Sequence, residues 1–502
     1  MRRLTDAASN DNDDLLEEVT KQLLVAARER VRGPSFGALE RALLEVSNDA
    51  LRRAFESVLR ELATLEEDEI EMQGSRYRRH EHGTAKYHSL CGPVSIERWT
   101  YRLVGVRNGP TIVPLELRAG LIQRGTPALA FAITQGYAKA PIRSVRHDLE
   151  AAHRAPPSRA TMERMAKAIG TEMKRVLMPV ERGVRTQETI PKSAVAISLG
   201  LDRTSIPMEE DDANAPNGVV VHYRMAYVGT VALTNRKSEV LVSWKYATPA
   251  CEGSAEVVRR MMNDLRKTLA AKPRLHIGVV QDGAYDIWGT MIEAMRAELG
   301  PRRRWHKAID MYHLMERLSR ALEIVEPDES KRSERLRTWK RQLLRDDGAI
   351  ARIARFFELD HVWLRSERRR KRQHLLSIGY TVEKDGLLGF AARSAKRPPP
   401  PPARRWNEHQ AEEVRRLLWL YLVDPNMFRY AKIASKGLHV GSGVTEGACK
   451  SLIAARAKRS GQRWRPPGIS AVLTVRSLLE SNRLASFWKR FATLHAPRAL
   501  AA

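Results

Sequence analysis

Val195-Ala196-Ile197-Ser198-Leu199-Gly200-Leu201-Asp202 is the stretch on which the reading of this chain turns. A short apolar run rich in branched residues has the pattern of a buried strand, and this one ends on an acid. The pattern recurs at Ile277-Gly278-Val279-Val280-Gln281, again closed by an acid, Asp282. A third, Glu446, follows the turn Gly441-Ser442-Gly443 and opens a helical stretch. Strand ends in α/β sheets gather functional groups, because the sheet holds them rigidly while the adjoining loops leave room for substrate. Three carboxylates converging there repel one another unless cations lie between them, so the constellation predicts a divalent-metal site.

Outward from these segments, strands are expected at 195–201, 218–233, 238–246, 275–281 and 306–310. Helices are expected at 254–271, 285–299 and from 311 to about 325. Three early strands on short turns, then alternating helix and strand, is the order of a ribonuclease-H-like mixed sheet. Such a sheet carries its first acid on the first strand and its second on the fourth, the places of Asp202 and Asp282. From 326 to 435 the strand signal fades and the composition turns helical and basic. Arg365 to Arg372 holds six basic residues and one Glu, and Pro398 to Pro402 reads as a stiff spacer. The expected fold is α/β and multidomain. A ribonuclease-H-like catalytic core in two parts, 190–325 and 436–495, is interrupted by an all-helical insertion at 326–435. The second part reads as a helix from 445 to about 459, a Gly/Pro loop at 461–468 and a closing amphipathic helix.

Before the core, residues 1–70 show helical periodicity through Leu15, Val19, Leu23, Leu24 and Ala27. Residues 71–185 begin with a basic β-hairpin turning near Cys91-Gly92-Pro93, with alternation in Val94-Ser95-Ile96-Glu97-Arg98-Trp99. A helix-turn-helix pattern follows: Ile142 to Glu150, a break at Pro156-Pro157-Ser158, then Arg159 to Met173. Arg159, Arg164 and Lys167 would face a phosphate backbone. This N-terminal region reads as DNA-binding; for 1–70 an oligomerisation or DNA-facing module is one reading, and simple packing helices are the commoner explanation.

The 502 residues carry 86 Lys and Arg against 59 Asp and Glu, a formal charge of +27. A surplus spread over several clusters implies a polyanionic partner, because each phosphate neutralised releases condensed counterions. Nucleic acid is the partner this favours; a merely basic surface or membrane-surface binding are the other readings. Cys91, Cys251 and Cys449 form no CxxC pair, which excludes the usual zinc-finger spacing and any disulfide framework, and a reducing cytoplasm is expected. The start, Met1-Arg2-Arg3-Leu4, lacks an apolar signal-peptide core, and no apolar run is long enough to span a bilayer.

Phosphoryl transfer on nucleic acid needs an activated hydroxyl and a neutralised leaving oxygen, and two Mg²⁺ ions about 3.5–4 Å apart do both. Mg²⁺, or Mn²⁺ in its place, needs only a few carboxylates and no His or Cys cage. Asp202 is the natural bridging ligand, with Asp282 and Glu446 completing the two shells. Each acid also has a structural reading: Asp202 pairs or caps, Asp282-Gly283 is an ordinary turn dipeptide, and Glu446 suits the first turn of a helix. Asp310 and His313 would share one helix face, where His313 contacts a phosphate, relays a proton or simply hydrogen-bonds Asp310. Arg203, Arg456, Lys458, Arg459 and Arg463 are candidate phosphate contacts, and Trp464 a candidate for stacking on an exposed base or for packing.

Leu201-Asp202-Arg203-Thr204, Gln281-Asp282-Gly283-Ala284, Asp310-Met311-Tyr312-His313 and Gly441-Ser442-Gly443-Val444-Thr445-Glu446 resemble the ISKra family of bacterial insertion-sequence transposases. Lys450, Arg456, Lys458, Ser460-Gly461-Gln462-Arg463-Trp464 and Phe487-Trp488 extend the likeness, which spans about 70–491 and is most specific near the C-terminus. Asp310-x-x-His313 is similar to a signature of some eukaryotic DDE superfamilies. The resemblance implies a DDE transposase with a ribonuclease-H-like core and a helical insertion before the Glu. It implies Mg²⁺-dependent cleavage at transposon ends and strand transfer into target DNA by a homo-oligomer associated with the bacterial nucleoid. It implies Asp202, Asp282 and Glu446 as the triad, with Arg203 standing where relatives often have Gly. A ribonuclease-H-like nuclease or junction resolvase, and a non-catalytic DNA-binding derivative of a transposase, are the alternatives.

Overall fold

The computed structural model describes residues 2–31, 35–64, 67–72, 74–359, 405–422, 425–495 and 500–501. The Arg365–Arg372 run and the Pro398–Pro402 spacer lie outside them. The chain divides into two compact units, Met1–Glu181 with Leu484–Ala502, and Arg182–Arg483. No helix among the described residues is long and apolar enough to cross a membrane.

In the first unit, α1 (Arg2–Arg30) and α2 (Phe36–Ala63) pack through Ala27, Ala42 and Val46 with Leu23 beside them; of the stripe expected on α1, Leu23 and Ala27 join this contact and Val19 is exposed. A meander follows: β1 (Glu69–Met72), β2 (Ser75–Ser89), β3 (Gly92–Leu103) and β4 (Thr111–Ile112). The short strand Leu500–Ala501 adds to β1 at the edge. Period-2 alternation sends Ala85, Tyr87, Val94 and Ile96 onto Leu59 of α2, and leaves the opposite face of the hairpin to solvent. Four helices complete the run: α3 (Pro114–Arg118), α4 (Pro127–Lys139), α5 (Ile142–Ala151) and α6 (Arg159–Arg175). Ser158 caps α6, its Oγ accepting from Thr161 N at 3.3 Å. The unit boundary falls within α7 (Leu177–Gln187).

The second unit is built on a five-stranded mixed sheet in the order β7-β6-β5-β8-β9. Its strands are β5 (Ala196–Asp211), β6 (Val219–Thr234), β7 (Val240–Thr248), β8 (His276–Gln281) and β9 (His306–Ile309). β5, β6 and β7 pair antiparallel; β8 runs parallel to β5, and β9 parallel to β8. Between them run α8 (Ala255–Ala271) and α9 (Tyr285–Leu299), and after β9 comes α10 (Met311–Val325). Gly229 lies against Val257 and Met261 of α8, whereas its diagonal neighbour Gly200 lies against Thr445, so helices cover both faces. Val231, Leu233, Ile277, Val279, Trp288 and Met291 fill the core between them. The outward N–H groups of edge strand β7 donate to serines of the helix Pro466–Glu480 and its C-cap: Ala247 N to Ser477 Oγ (3.0 Å) and Lys245 N to the capping Ser481 Oγ (2.8 Å). That closes an edge otherwise open to a further strand.

Two sequence expectations need correction. β5 does not end at Asp202 but runs on to Asp211, paired with β6 throughout. β8 pairs with β5 only over Ala196–Leu199, and β7 pairs with β6 only from Tyr227 onward. Past Asp202 the strand therefore keeps one continuous ladder, and residues 203–211 and 219–226 form a two-stranded ribbon, with a single bridge from Met208 to Trp464 on its other edge. The helix expected from 445 to about 459 is three pieces, α-helical Gly443–Ala448, π-helical Cys449–Ala454 and α-helical Ala455–Ala457. Residues 326–359 and the described part of 405–434 hold helices and no strand, including α11 (Glu329–Arg345), α12 (Ala349–Phe356) and the helix Glu408–Leu422.

Candidate metal centre

Asp202 sits where the sheet narrows to the ribbon. Its Oδ1 accepts from Arg203 N at 2.7 Å, and its Oδ2 accepts from the Cys449 thiol at 3.5 Å. Burial pushes that thiol well above its ordinary range, and the charge of Asp202 adds to the effect, so Cys449 stays protonated as a donor. Asp282 follows β8 directly. Its Oδ1 accepts from Ala284 N at 3.0 Å, an Asx turn, and buried Trp288 donates from Nε1 to its carbonyl at 2.6 Å, which pins the loop. Burial raises the Asp282 carboxyl above its usual range; the Ala284 N–H opposes this, the Asp202 charge reinforces it, and His313 and Arg203 pull it down. Two carboxylates in one field, one of them desolvated, is the electrostatic condition that a bound cation relieves.

The third wall comes from the N-terminus of α10 and the helix Gly443–Ala448. Asp310 is 0% exposed and caps α10. Its Oδ1 accepts from Tyr312 N (3.1 Å) and Ser442 N (3.0 Å), and its Oδ2 takes Ser442 Oγ (2.8 Å) and His313 Nδ1 (2.7 Å). Burial alone would raise this carboxyl, but these hydrogen bonds outweigh it and hold the group below its ordinary range. Asp310 in turn raises His313, with Asp282 and Glu446 adding to the effect against burial. Ser442 Oγ also lies 2.8 Å from Glu446 Oε1. The single hydroxyl proton of Ser442 can be given to either carboxylate, so the serine links Asp310 to Glu446.

The position of Glu446 depends on a close approach. A Cβ at Gly200 would overlap the Thr445 hydroxyl, which itself lies 2.7 Å from Thr230 Oγ1. Only a glycine on β5 lets the Glu446 helix sit this near the sheet.

Asp310, His313 and Glu446 offer ligand atoms within 4.8 Å of one another. Asp310 also holds the imidazole, its Oδ2 lying 2.7 Å from His313 Nδ1. Among the described residues no such tight group joins Asp202, Asp282 and Glu446. They share one field: Asp202 acts on Asp282, Asp282 and Glu446 on His313, and Asp202 and Glu446 on Cys449.

The expected nucleic-acid contacts divide. Lys458, Arg459 and Arg463 are exposed, and Lys458 Nζ donates to Thr204 Oγ1 on the ribbon at 2.6 Å. Arg203 is half-buried on the strand that carries Asp202. Trp464 and Arg456 are placed inside, at 6% and 2% exposure. The guanidinium lies 4.7 Å from the indole centre, Trp464 Nε1 donates to Ala457 O at 3.1 Å, and the Trp464 backbone adds to the ribbon by donating to Pro207 O. Both are packing groups in this arrangement, and the indole offers no free face to a base. The sequence reading left Ser442, Cys449 and Gly200 without a role. The Gly-Ser-Gly turn carried a signal for Ser442, but the other two depend on approaches made far along the chain.

No family model matches the chain, and no curated protein matches it. Among solved structures it is similar to one described as the Drosophila P element transposase strand transfer complex, at 12% identity and a TM-score of 0.23, over 74% of this chain and 81% of that one.

Proposed function

We propose that this chain is a DDE transposase, cutting transposon ends with a divalent metal and joining the new 3′-hydroxyls to target DNA. The observation that carries the reading is the gathering of Asp202, Asp282, Glu446 and His313 into one field, with Asp202 midway along β5 and Asp282 and His313 just past β8 and β9. The sheet order β7-β6-β5-β8-β9, antiparallel then parallel, supports a ribonuclease-H-like core, with Asp202 on its first strand and Asp282 just past its fourth. Oxygen donors in a desolvated, net-negative pocket fit Mg²⁺ or Mn²⁺, with Asp202, Asp282 and Glu446 as ligands. Such ions lower the pKa of an attacking water or hydroxyl and neutralise the leaving oxygen. Asp310 fixes the ring of His313 through Nδ1 and favours its protonated form, which leaves Nε2 to donate to a phosphate oxygen. Lys458 and Arg203 beside the acids would hold the flanking backbone. Pairing two ends requires a homo-oligomer.

The test is a strand-transfer assay with the purified protein, Mg²⁺ and DNA carrying the repeats that flank its gene, beside Asp202→Ala. Joining to a target plasmid by the wild type alone is the expected result. Cleavage without joining would indicate a nuclease, and tight binding without Mg²⁺-dependent cleavage a non-catalytic binder.

A further inference from the structure

The opposite end of the same sheet holds a cavity of about 720 Å³ that no step above uses. It lies where β5 and β8 begin, lined by Arg236, Lys272, Arg274, His276 and Lys436, with no Asp or Glu in its wall. Lys272 is committed to structure, its Nζ donating to the carbonyls of Lys192 (2.5 Å) and Ala194 (3.2 Å). Arg236, Arg274 and Lys436 have no ion pair among the described residues. The nearby carboxylate of Glu239 accepts from Asn235 Nδ2 at 2.6 Å. Burial and Lys436 push His276 below its ordinary range, as expected where cationic groups crowd without a counterion.

The wall is built, not incidental. Gly437 adopts φ 74°, and a Cβ there would meet the Asn235 carbonyl. Its own carbonyl accepts from Thr234 Oγ1 at 2.6 Å. This approach fixes Lys436 beside the turn that carries Arg236.

We propose that this cavity binds consecutive backbone phosphates of DNA, as a second site apart from the carboxylates. The choice of DNA over another phosphate polymer rests on the proposed function. Concentrated positive charge without carboxylates selects phosphate. The lining has no Phe, Tyr or Trp on which a base would stack, so the site takes backbone and not nucleotide, and is indifferent to sequence. Six residues of β5 separate Ala196 from Asp202, about 20 Å at the rise of a strand. DNA held here is therefore a segment other than the scissile phosphate, either further along the same duplex or in a second one.

The experiment titrates full-length protein with labelled duplex DNA of random sequence in EDTA, between about 50 and 200 mM salt. Arg236→Glu/Arg274→Glu/Lys436→Glu is compared with the wild type and with the triple Gln variant, after thermal melts establish that both variants fold. The expected result is a salt slope shallower by about 0.9 for each phosphate no longer neutralised, and affinity reduced at least about tenfold in the Glu variant. The Gln variant should fall between. An unchanged slope in both overturns the site. Inorganic pyrophosphate that displaces DNA from the wild type at matched phosphate concentration overturns it in favour of a small-anion pocket. Loss of binding to anionic lipid vesicles with DNA binding intact overturns it in favour of a membrane surface. A shallower slope in a protein whose wild type shows no Mg²⁺-dependent cleavage would leave this site standing and sink the transposase reading.

Discussion

The two ends of the mixed sheet carry opposite charge and are made differently. Where β8 ends and β5 leaves it for the ribbon, Asp202, Asp282, Asp310 and Glu446 are half-buried or fully buried, and hydrogen bonds from Arg203, Cys449, Ala284 and Ser442 orient them. Where the same strands begin, Arg236 and Arg274 stand exposed and Lys436 half-buried, without ion pairs among the described residues. A close glycine approach shapes each end, at Gly200 for the acids and at Gly437 for the cations. The difference follows from the task each arrangement suits. Metal ligation and proton handling need groups fixed to a fraction of an ångström, whereas holding a phosphate backbone needs mainly charge density.

That contrast breaks most visibly at the acids. Asp202→Asn should reduce Mg²⁺-dependent cleavage on the order of a thousandfold, the worth of several kcal/mol of charge stabilisation. Duplex binding in EDTA should persist, and loss of both together would mean that the ends are not separable. Gly200→Ala tests the shaping of one end alone. The added methyl should lift the Glu446 helix and cost about 1–3 kcal/mol of stability by urea unfolding. Cleavage should fall with it, while the salt slope of DNA binding is retained.

Asp310→Asn probes a subtler feature. In metal-free protein, the His313 ring followed by NMR should titrate above the ordinary histidine range, and the variant should bring it down. The sign for stability follows: a raised folded-state value means a contribution that is complete below the ordinary histidine range. It is lost as pH rises through the raised value. A variant whose ring titrates unchanged would remove Asp310 from its orienting role. Smallest is Lys458→Ala. Removing one exposed cation from the phosphate backbone should flatten the salt slope by about 0.9 and leave the Mg²⁺ dependence of cleavage alone.

Much of the second unit is legible in the chain. Apolar runs at 218–233, 238–246 and 275–281 and helical periodicity at 254–271, 285–299 and 311–325 match the observed elements within a residue or two. The far end of β5 is the exception. Residues 203–211 are polar and mixed, and they hold strand form because β6 continues beside them and the Trp464 backbone bridges to Met208 on the other side. Trp464 is another case. In the sequence it stands between two arginines and beside prolines, which suits an exposed stacking residue. In the fold, Arg456 turns inward to cover it and Pro207 accepts from its backbone. The Asp310–His313 spacing was visible, but the choice of Asp310 as a buried orienting acid rests on Ser442, which reaches it from 132 residues away.

By itself the sequence determined the order of strands and helices in the mixed sheet, the place of Asp282 just past β8 and the cationic surplus. Periodicity and composition are local quantities that each segment carries without its neighbours. The tertiary structure alone decided that β5 outruns its sheet, that Arg456 and Trp464 face inward, and that the cations gather at one end of the sheet and the carboxylates at the other. Those outcomes depend on close approaches between distant segments, such as Gly200 to Thr445 and Gly437 to Asn235, which no local pattern encodes.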